Sequence, residues 1–260
     1  MTGRELSEAL RSGQRVYGTA ILSTCARWPA FVKSAGVDFV FLDTEHVPLG
    51  RETLSWMCQT YRALGLPPVV RIPSPDPYQA SMALDGGAVG IIVPYVETAD
   101  QVRALRGAVK LNPLKGKTLR SVLAGEEDLS EETASYLRER NEDRVMIVNV
   151  ESTHALEALD ELLDVEGLDA VLVGPHDLSI SLGVPERYDS VRFQESVHLV
   201  IERARQRQIG VGVHFSSAIE HEIAWARLGA NLIVHSSDAF LFEETMKRDL
   251  AAIKSALNEA

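Results

Sequence analysis

The stretch FVFLDTEHVPLG, residues 39–50, is the segment from which the fold of this sequence can be inferred. It starts as a continuous apolar run, the pattern of a strand that is covered on both faces. It then places Asp43, Glu45 and His46 within four consecutive positions, and a proline and a glycine interrupt the backbone before a helical pattern begins. A buried strand that ends in ionisable residues is the arrangement expected at the rim of an active site.

Seven other runs share the apolar, β-branched character of this strand. They are VYGTAIL from Val16, PPVVRI from Pro67, AVGIIVP from Ala88, VMIVNVE from Val145, LDAVLVG from Leu168, IGVGVHF from Ile209 and ANLIVHS from Ala230. Amphipathic segments such as RETLSWMCQTYRALG and SAIEHEIAWARLG separate them. Eight such β/α units predict an α/β fold, a (β/α)8 TIM barrel that forms one domain over residues 1–260. An open doubly wound sheet is the competitor, but no GxGxxG motif follows the first strand.

Local signals mark the ends of several elements. An amphipathic helix at roughly residues 4–11 is predicted before the first strand. Thr98 and Ser216 are candidate helix N-caps, and Gly65 and Gly229 are candidate helix ends. The segment of residues 111–143 is far longer than a usual connection in such a fold. We expect it to be a lid, an inserted helix or an interface element.

The composition limits the classes of function. Of the 260 residues, 45% are hydrophobic and 24% are charged, and the formal net charge is -11. This acidity argues against a nucleic-acid partner and against a membrane surface, because both need a basic patch. The charged first residues lack the apolar core of a signal peptide, and no run has the length of a membrane-spanning helix. Cys25 and Cys58 belong to no metal or redox motif, so we expect free thiols in a cytoplasmic protein.

Polar residues follow the apolar runs at the points where the runs stop. From the second predicted strand to the eighth, the residues at the strand ends are, in order, Asp43, Glu45 and His46; Arg71; Tyr95; Asn149 and Glu151; Gly174, Pro175, His176 and Asp177; His214; and His235. In a TIM barrel the carboxyl ends of the strands carry the chemistry. The coincidence therefore predicts an active site at this face.

Glu151 and Asp177 follow consecutive strands, whose axes lie about 5 Å apart, so their carboxylates can converge. Converging carboxylates need a cation unless one of them is protonated, and oxygen ligands with open positions suit Mg²⁺ or Mn²⁺. A structural alternative exists for each residue alone. Asp177 could cap the helix DLSISLG, and Glu151 could precede the helix that begins near Ser152.

Arg71 at the end of an apolar strand can hold a carboxylate or a developing enolate oxygen. The alternative is a structural ion pair with Asp43 or Glu45. Histidine is a side chain suited to proton transfer near neutral pH, so His46 could move protons, whereas the two histidines that end the last strands are weaker candidates. Such parts suit a reaction that makes or breaks a carbon–carbon bond next to pyruvate, but dehydration, decarboxylation and enolisation use the same enolate.

Several motifs resemble those of the HpcH/HpaI aldolase family, the class II metal-dependent 2-oxo-acid aldolases. The most specific are LDTEH, VVRIPSPDP, LDGGAVGIIVP, VNVES, LDVEGLDAVLVGPHDLS and LGANLIVHSSD, and the match runs over most of the chain. The resemblance implies a barrel of the phosphoenolpyruvate/pyruvate type. It also implies a homo-oligomer, typically a hexamer, in which the last helix is swapped between partners.

The resemblance further assigns roles to residues. Glu151 and Asp177 would bind the metal, Mg²⁺ or Mn²⁺ with Co²⁺ as a further option, and Arg71 would stabilise the enolate-like transition state. His46 would lead to the base that takes the proton from the aldol hydroxyl, and Asp85 would raise the basicity of this histidine. Because Asp85 is predicted at the far end of its helix, it would serve the site of a neighbouring subunit.

The resemblance also implies which residues line the substrate. They are Arg71, Asn149, Gly174, Pro175 and His176, with Asp43 and Glu45 as supporting residues. Asn149 stands where bacterial relatives often have glutamine, and His176 replaces a small residue, so an unusual substrate chain is expected. The segment GKTLRSVLAG also lacks the Gly-x-Arg-Gly pattern that is common there, which puts the usual acceptor contacts in doubt.

The implied activity is the cleavage of a 4-hydroxy-2-oxo acid to pyruvate, or a close analogue, and an aldehyde. The expected partners are therefore a small-molecule 2-oxo acid and an aldehyde. A decarboxylase or an acyl-CoA-type lyase on the same scaffold is the alternative. A non-catalytic metabolite-binding barrel is the third interpretation.

Overall fold

In the computed structural model, which describes residues 1–216 and 218–257, the chain forms a closed barrel of eight parallel strands that pair in chain order. The strands are β1 (Val16–Ile21), β2 (Phe39–Asp43), β3 (Pro68–Arg71), β4 (Gly90–Val93), β5 (Val145–Val150), β6 (Ala170–Val173), β7 (Gly210–Phe215) and β8 (Leu232–Ser237). The ring closes where Leu232 of β8 pairs with Val16 of β1. Each strand coincides with one of the eight predicted runs, so the prediction of a (β/α)8 barrel is confirmed.

The helices lie between the strands and around them. They are α1 (Gly3–Ser12), α2 (Trp28–Ser34), α3 (Arg51–Ala63), α4 (Pro77–Asp85), α5 (Ala99–Lys110), α6 (Gly116–Leu123), α7 (Glu131–Asn141), α8 (Thr153–Glu157), α9 (Leu159–Leu163), α10 (Pro175–Ser181), α11 (Val191–Gln206), α12 (Ile219–Leu228) and α13 (Asp238–Ala256). In the part of the chain that the structure describes, no helix is long and apolar enough to cross a membrane.

The predicted element ends are correct with one exception. Thr98 accepts a hydrogen bond from the backbone of Gln101 and caps α5. Gly65 (φ 71°) and Gly229 (φ 118°) adopt the left-handed conformation after α3 and α12, as expected of helix ends. Ser216 is not the N-cap of α12, because the helix begins later and Ala218 holds that position.

Apolar side chains fill the barrel and close it at one end. Phe39, Phe41 and Val234 belong to an inner cluster that includes Leu6 and Leu10 of α1, and all five are buried. Their inward position follows from the two-residue period of each strand. Because α1 covers the end at which the strands begin, the opposite face remains for the polar residues.

The long segment of residues 111–143 contains the two inserted helices α6 and α7. A Cβ atom on Gly107 of α5 would lie 3.0 Å from the side chain of Leu123, so α6 packs closely on α5. The Asn141 amide of α7 donates to the backbone carbonyls of Lys110 and Asn112. These contacts lie beside the last turn of α5, at the end of the barrel where β5 begins. The segment is therefore an insertion at the closed end and not a lid over the opposite face.

The last helix, α13, leaves part of the barrel uncovered. Of its residues only Asp238 is buried, and the Asp238 carboxylate accepts hydrogen bonds from the backbone of Leu22 and Ser23. The outer faces of β1 and β8 beyond this contact line an open groove of about 570 Å³ against α12. In most TIM barrels a helix covers each such strand pair.

Candidate active site

Asp43 and Arg71 are register partners at the ends of β2 and β3, and their side chains point into the open face of the barrel. Arg71 donates from Nε to Asp43 Oδ1 at 2.8 Å and from Nη2 to Oδ2 at 2.7 Å. The guanidinium carbon lies 5.1 Å from the centre of the Phe41 ring. Burial works to raise the pKa of Asp43, but the hydrogen bonds and charge of Arg71 outweigh it and hold the pKa below its ordinary value. The ion pair considered as an alternative therefore exists, and it orients the arginine.

Glu45 connects this pair to His46. The Glu45 backbone N–H donates to Asp43 Oδ1 at 3.0 Å, and Glu45 Oε2 lies 3.0 Å from Arg71 Nε. This buried oxygen has no aligned hydrogen-bond donor among the described residues. The His46 ring is 63% exposed, with Nε2 3.7 Å from Glu45 Oε2. His46 therefore stands at the mouth of the site, open to solvent and beside a carboxylate.

Glu151 lies just beyond β5, and two donors fix its carboxylate. The backbone N–H of Tyr95 donates to Oε1 at 2.6 Å, and the Asn149 amide donates to Oε2 at 2.9 Å. Burial raises the pKa of Glu151, and the charges of Asp177 and Glu45 raise it further. Ser152, not Glu151, caps α8, so the capping interpretation of Glu151 is wrong.

Gly174 makes room for this carboxylate. A Cβ atom at Gly174 would lie 2.6 Å from Glu151 Oε2 and 3.0 Å from Glu151 Cβ, so a side chain at this position would displace the carboxylate. Gly174 is also the N-cap of α10, where Asp177 lies in the first turn and makes no side-chain cap. Asp177 is therefore not a helix cap. Its charge lies close enough to raise the pKa of Glu151. The exposed His176 lies beside it, with Nδ1 3.6 Å from Glu186 Oε1.

Three predicted residues have different positions. His214 points into the barrel, where its Nε2 lies 3.0 Å from the Ser236 carbonyl and its ring contacts Phe41 edge-on. His235 points outward, with Nδ1 2.7 Å from Glu222 Oε2, and so lies away from the other strand-end residues. Asp85 is the exposed last residue of α4 and lies at the closed end of the barrel, as predicted. Within one chain it is not brought to His46.

Tyr95 is a site residue whose role was not predicted from the sequence. It follows Pro94 at the end of β4 and adopts φ 55°, the left-handed region that favours glycine. Its position at a strand end indicated that it could belong to the site. The sequence around it did not indicate the backbone conformation that turns its N–H toward Glu151. Among the described residues, no group of three or more histidine, cysteine, aspartate or glutamate side chains could hold a metal ion.

Known proteins similar to this chain agree with its fold. The sequence matches the family described as HpcH/HpaI aldolase/citrate lyase over residues 26–244. A 2-keto-3-deoxy-L-rhamnonate aldolase of Shigella boydii serotype 4 (strain Sb227) is 30% identical over 253 residues, which are 96% of this chain and 93% of that protein. The crystal structure of an HpcH/HpaI aldolase from Desulfitobacterium hafniense DCB-2 gives a TM-score of 0.83 at 25% identity and covers 96% of both chains. That of the citrate synthase SbnG gives 0.81 at 25% identity, covering 98% of this chain and 99% of that one.

The family match spans most of the chain and includes every strand from β2 to β8. The Shigella relative and the Desulfitobacterium structure, which this chain matches along nearly their whole length, are named as aldolases. The protein is therefore an enzyme of the aldolase type, a lyase, and the chain belongs to the HpcH/HpaI aldolase/citrate lyase family.

Proposed function

We propose that this protein cleaves a 4-hydroxy-2-oxo acid to pyruvate, or a close analogue, and an aldehyde. The observation that carries the proposal is the proximity of two polar clusters at the open face. Arg71, held by Asp43, interacts electrostatically with Glu151, which Asn149 and Tyr95 hold in place. The name of the Shigella relative, a 2-keto-3-deoxy-L-rhamnonate aldolase, supports a 2-oxo acid as the substrate class.

A divalent cation at Glu151 and Asp177 is part of the proposal, and the donor set fits one. The neighbouring donors are oxygens, which suit Mg²⁺, Mn²⁺ or Co²⁺. Asn149 Oδ1 is buried and has no hydrogen-bond partner among the described residues, as expected of an atom that faces a ligand. Two protein carboxylates would leave positions for substrate and water. When bound, the cation would polarise the 2-oxo group as a Lewis acid.

Arg71 is proposed to stabilise the charge that develops as the C3–C4 bond of the substrate breaks. Asp43 occupies Nε and Nη2, so the guanidinium is fixed and Nη1 remains for the 2-oxo oxygen. A donor that is already oriented needs no reorganisation during the reaction. Asp43 and Glu45 are thus supporting residues.

His46 is proposed to take the proton from the C4 hydroxyl, through a water molecule, as the aldehyde forms. The departing electron pair remains at C3, which then accepts a proton and becomes the methyl group of pyruvate. Glu45 Oε2, 3.7 Å from His46 Nε2, would stabilise the protonated ring. Asp85 would act on this histidine only from a partner subunit, since α4 carries it to the closed end.

Asn149, Gly174, Pro175 and His176 are proposed to line the substrate. Asn149 is buried beside Glu151, and Gly174 is the residue whose missing side chain leaves space there. Pro175 and His176 follow at the start of α10, and His176 is exposed toward solvent. Because His176 is the exposed residue, it would contact the part of the substrate chain that is farthest from Glu151.

We also propose that residues 1–260 act as one barrel domain within a homo-oligomer. α13 exposes Phe242, Leu250 and Ile253, while the groove beside β1 and β8 lacks a covering helix. The exposed helix of one copy would fill the groove of another, which corresponds to a swapped last helix.

Exchange of the pyruvate methyl protons with deuterated water tests the proposed function. We expect the wild-type enzyme to exchange them with added Mg²⁺ or Mn²⁺ and to lose exchange in EDTA. Arg71→Ala should lower the exchange rate about 100-fold, the usual cost of a lost charge-stabilising donor. Glu151→Gln removes a proposed metal ligand and should also lower the exchange rate. Glu157→Gln, on the exposed side of α8, is the matched control. Exchange that survives chelation, or an enzyme imine trapped by borohydride, would exclude the metal-dependent class.

A carbon–carbon lyase that acts on an acyl-CoA-type substrate is the second candidate. The similarity to the citrate synthase SbnG, at 25% identity over nearly the whole chain, favours it. The two functions differ in their products, because one releases an aldehyde and the other a thioester or a second carboxylic acid. Analysis of the products formed from a panel of 4-hydroxy-2-oxo acids distinguishes the two functions. The same analysis would identify a decarboxylase by the release of CO₂.

A further inference from the structure

Tyr95 has a backbone conformation that its residue type does not favour. With φ 55°, it is one of the few described residues other than glycine with a positive φ. Such conformations persist only where the surroundings enforce them, and they are frequent at functional sites. Here the conformation directs the backbone N–H at Glu151 Oε1, 2.6 Å away. The enforced backbone conformation of Tyr95 at a carboxylate of the candidate site indicates that Tyr95 has a role beyond packing.

The phenol of Tyr95 lies among carboxylates and is half exposed. Its hydroxyl interacts with the carboxylate of Glu45 and lies near those of Glu151 and Asp177. A tyrosine hydroxyl is protonated at neutral pH and can donate a hydrogen bond. The side chain is 50% exposed, so a ligand in the open face can reach it.

The position of this hydroxyl distinguishes the two halves of the substrate. Glu151, which is buried, and Arg71, whose side chain is 14% exposed, are the groups proposed to hold the pyruvate half. The Tyr95 side chain is 50% exposed and interacts with Glu45, which lies between Arg71 and the exposed His46. His46 is the group proposed to act at the C4 hydroxyl. The phenol therefore lies on the solvent side of the site, the side on which the aldehyde half would extend from the buried groups.

We infer that Tyr95 binds the aldehyde half of the substrate, its hydroxyl donating a hydrogen bond to the C4 oxygen, while its backbone N–H positions Glu151. This inference rests on the proposed function and deepens it. In the condensation direction the same hydrogen bond polarises the aldehyde carbonyl as its oxygen gains charge. The two roles are separable, since the hydroxyl belongs to the side chain and the N–H to the backbone.

The test compares Tyr95→Phe with the wild type in two reactions. The first is methyl-proton exchange of pyruvate, which needs only the pyruvate half of the site. The second is condensation of pyruvate with glycolaldehyde as the probe aldehyde. We expect Tyr95→Phe to lose at least about tenfold more in kcat/KM for glycolaldehyde than in the rate of proton exchange, the effect of one lost hydrogen bond. Tyr95→Gly, which suits the left-handed backbone, should show the same split, and Tyr136→Phe on α7 is the control.

Three outcomes would overturn the inference. They are wild-type kinetics for glycolaldehyde in Tyr95→Phe, an equal loss of exchange and condensation, and a wild-type enzyme that exchanges protons but condenses no aldehyde. The second outcome would place the hydroxyl on the pyruvate half. Failure of the proposed function itself has a different signature, because the wild-type enzyme would then show no exchange at all.

Discussion

His214 is an ionisable side chain that folding places inside the barrel beside Phe41 and opposite the charge of Arg71. Burial lowers the pKa of His214 from its ordinary value of 6.5 to about 4. The unfolded chain therefore binds this proton before the folded chain does. Stability from the neutral ring is fully present above pH 6.5 and is lost as the pH falls toward 4.

We expect His214→Asn to remove part of this pH dependence. A pKa difference between 6.5 and about 4 corresponds to about 3 kcal/mol in the free energy of unfolding. Urea denaturation at pH 7 and pH 4 measures it: the wild type should lose about 3 kcal/mol more than the variant on acidification. His198→Asn, on the exposed side of α11, is the control and should behave like the wild type. An equal acid loss in His214→Asn and wild type would contradict the prediction.

At the scale of elements, Asp169 joins α1 to the barrel. Its side chain is completely buried before β6 and accepts from Ser7 Oγ and Lys110 Nζ, both at 2.6 Å, and from the backbone of Met146. Arg11 Nη2 lies 3.1 Å from the same carboxylate. The buried Asp169 carboxylate thus connects α1, α5 and β5, and both of its oxygens accept hydrogen bonds.

Asp169→Asn should destabilise the fold without touching the open face. The change leaves Lys110 and Arg11 without their counter-ion in a partly buried place, and breaking a buried pair in this way costs about 3–5 kcal/mol. Chemical denaturation measures the loss. Asp249→Asn on α13, whose partner Arg248 is exposed, is the control and should cost less than about 1 kcal/mol. If Asp169→Asn lowered the free energy of unfolding by as little as the control variant does, the carboxylate would not be what holds α1 to the barrel.

The elements were predictable from the sequence because apolar runs and helical periods report burial directly. The direction of each strand-end side chain was not. The runs that become β7 and β8 are apolar at consecutive positions, so the sequence does not show which alternate residues face inward. In the structure His214 faces inward and His235 faces outward. The pairing of Asp43 with Arg71 follows from neighbouring strands and was foreseen as an alternative. The turn of the Tyr95 backbone toward Glu151 depends on the folded surroundings and has no local sequence signature.

For the whole molecule, the exposed apolar residues of α13 are the feature that a single chain does not explain. Phe242 is 62% exposed, Ile253 55% and Leu250 47%. Burying such a side chain is worth about 1.5–3 kcal/mol, and a reciprocal exchange would bury one set from each of the two copies. The sum reaches the range of about 4–15 kcal/mol that association costs in lost freedom. The groove beside β1 and β8 offers the matching apolar surface, Tyr17 and Ile233, on every copy.

We therefore expect the double variant Phe242→Asp, Ile253→Asp to have a lower molar mass than the wild type. Both charges would enter the groove of the second copy, where desolvation opposes them. Size-exclusion chromatography with light scattering gives the mass, and circular dichroism shows that the barrel is retained. Lys247→Gln, on the same helix, should keep the wild-type mass. Because Asp85 is proposed to act only across subunits, dissociation should also reduce pyruvate proton exchange. A monomeric wild type, or an unchanged mass in the double variant, would refute the exchange of α13.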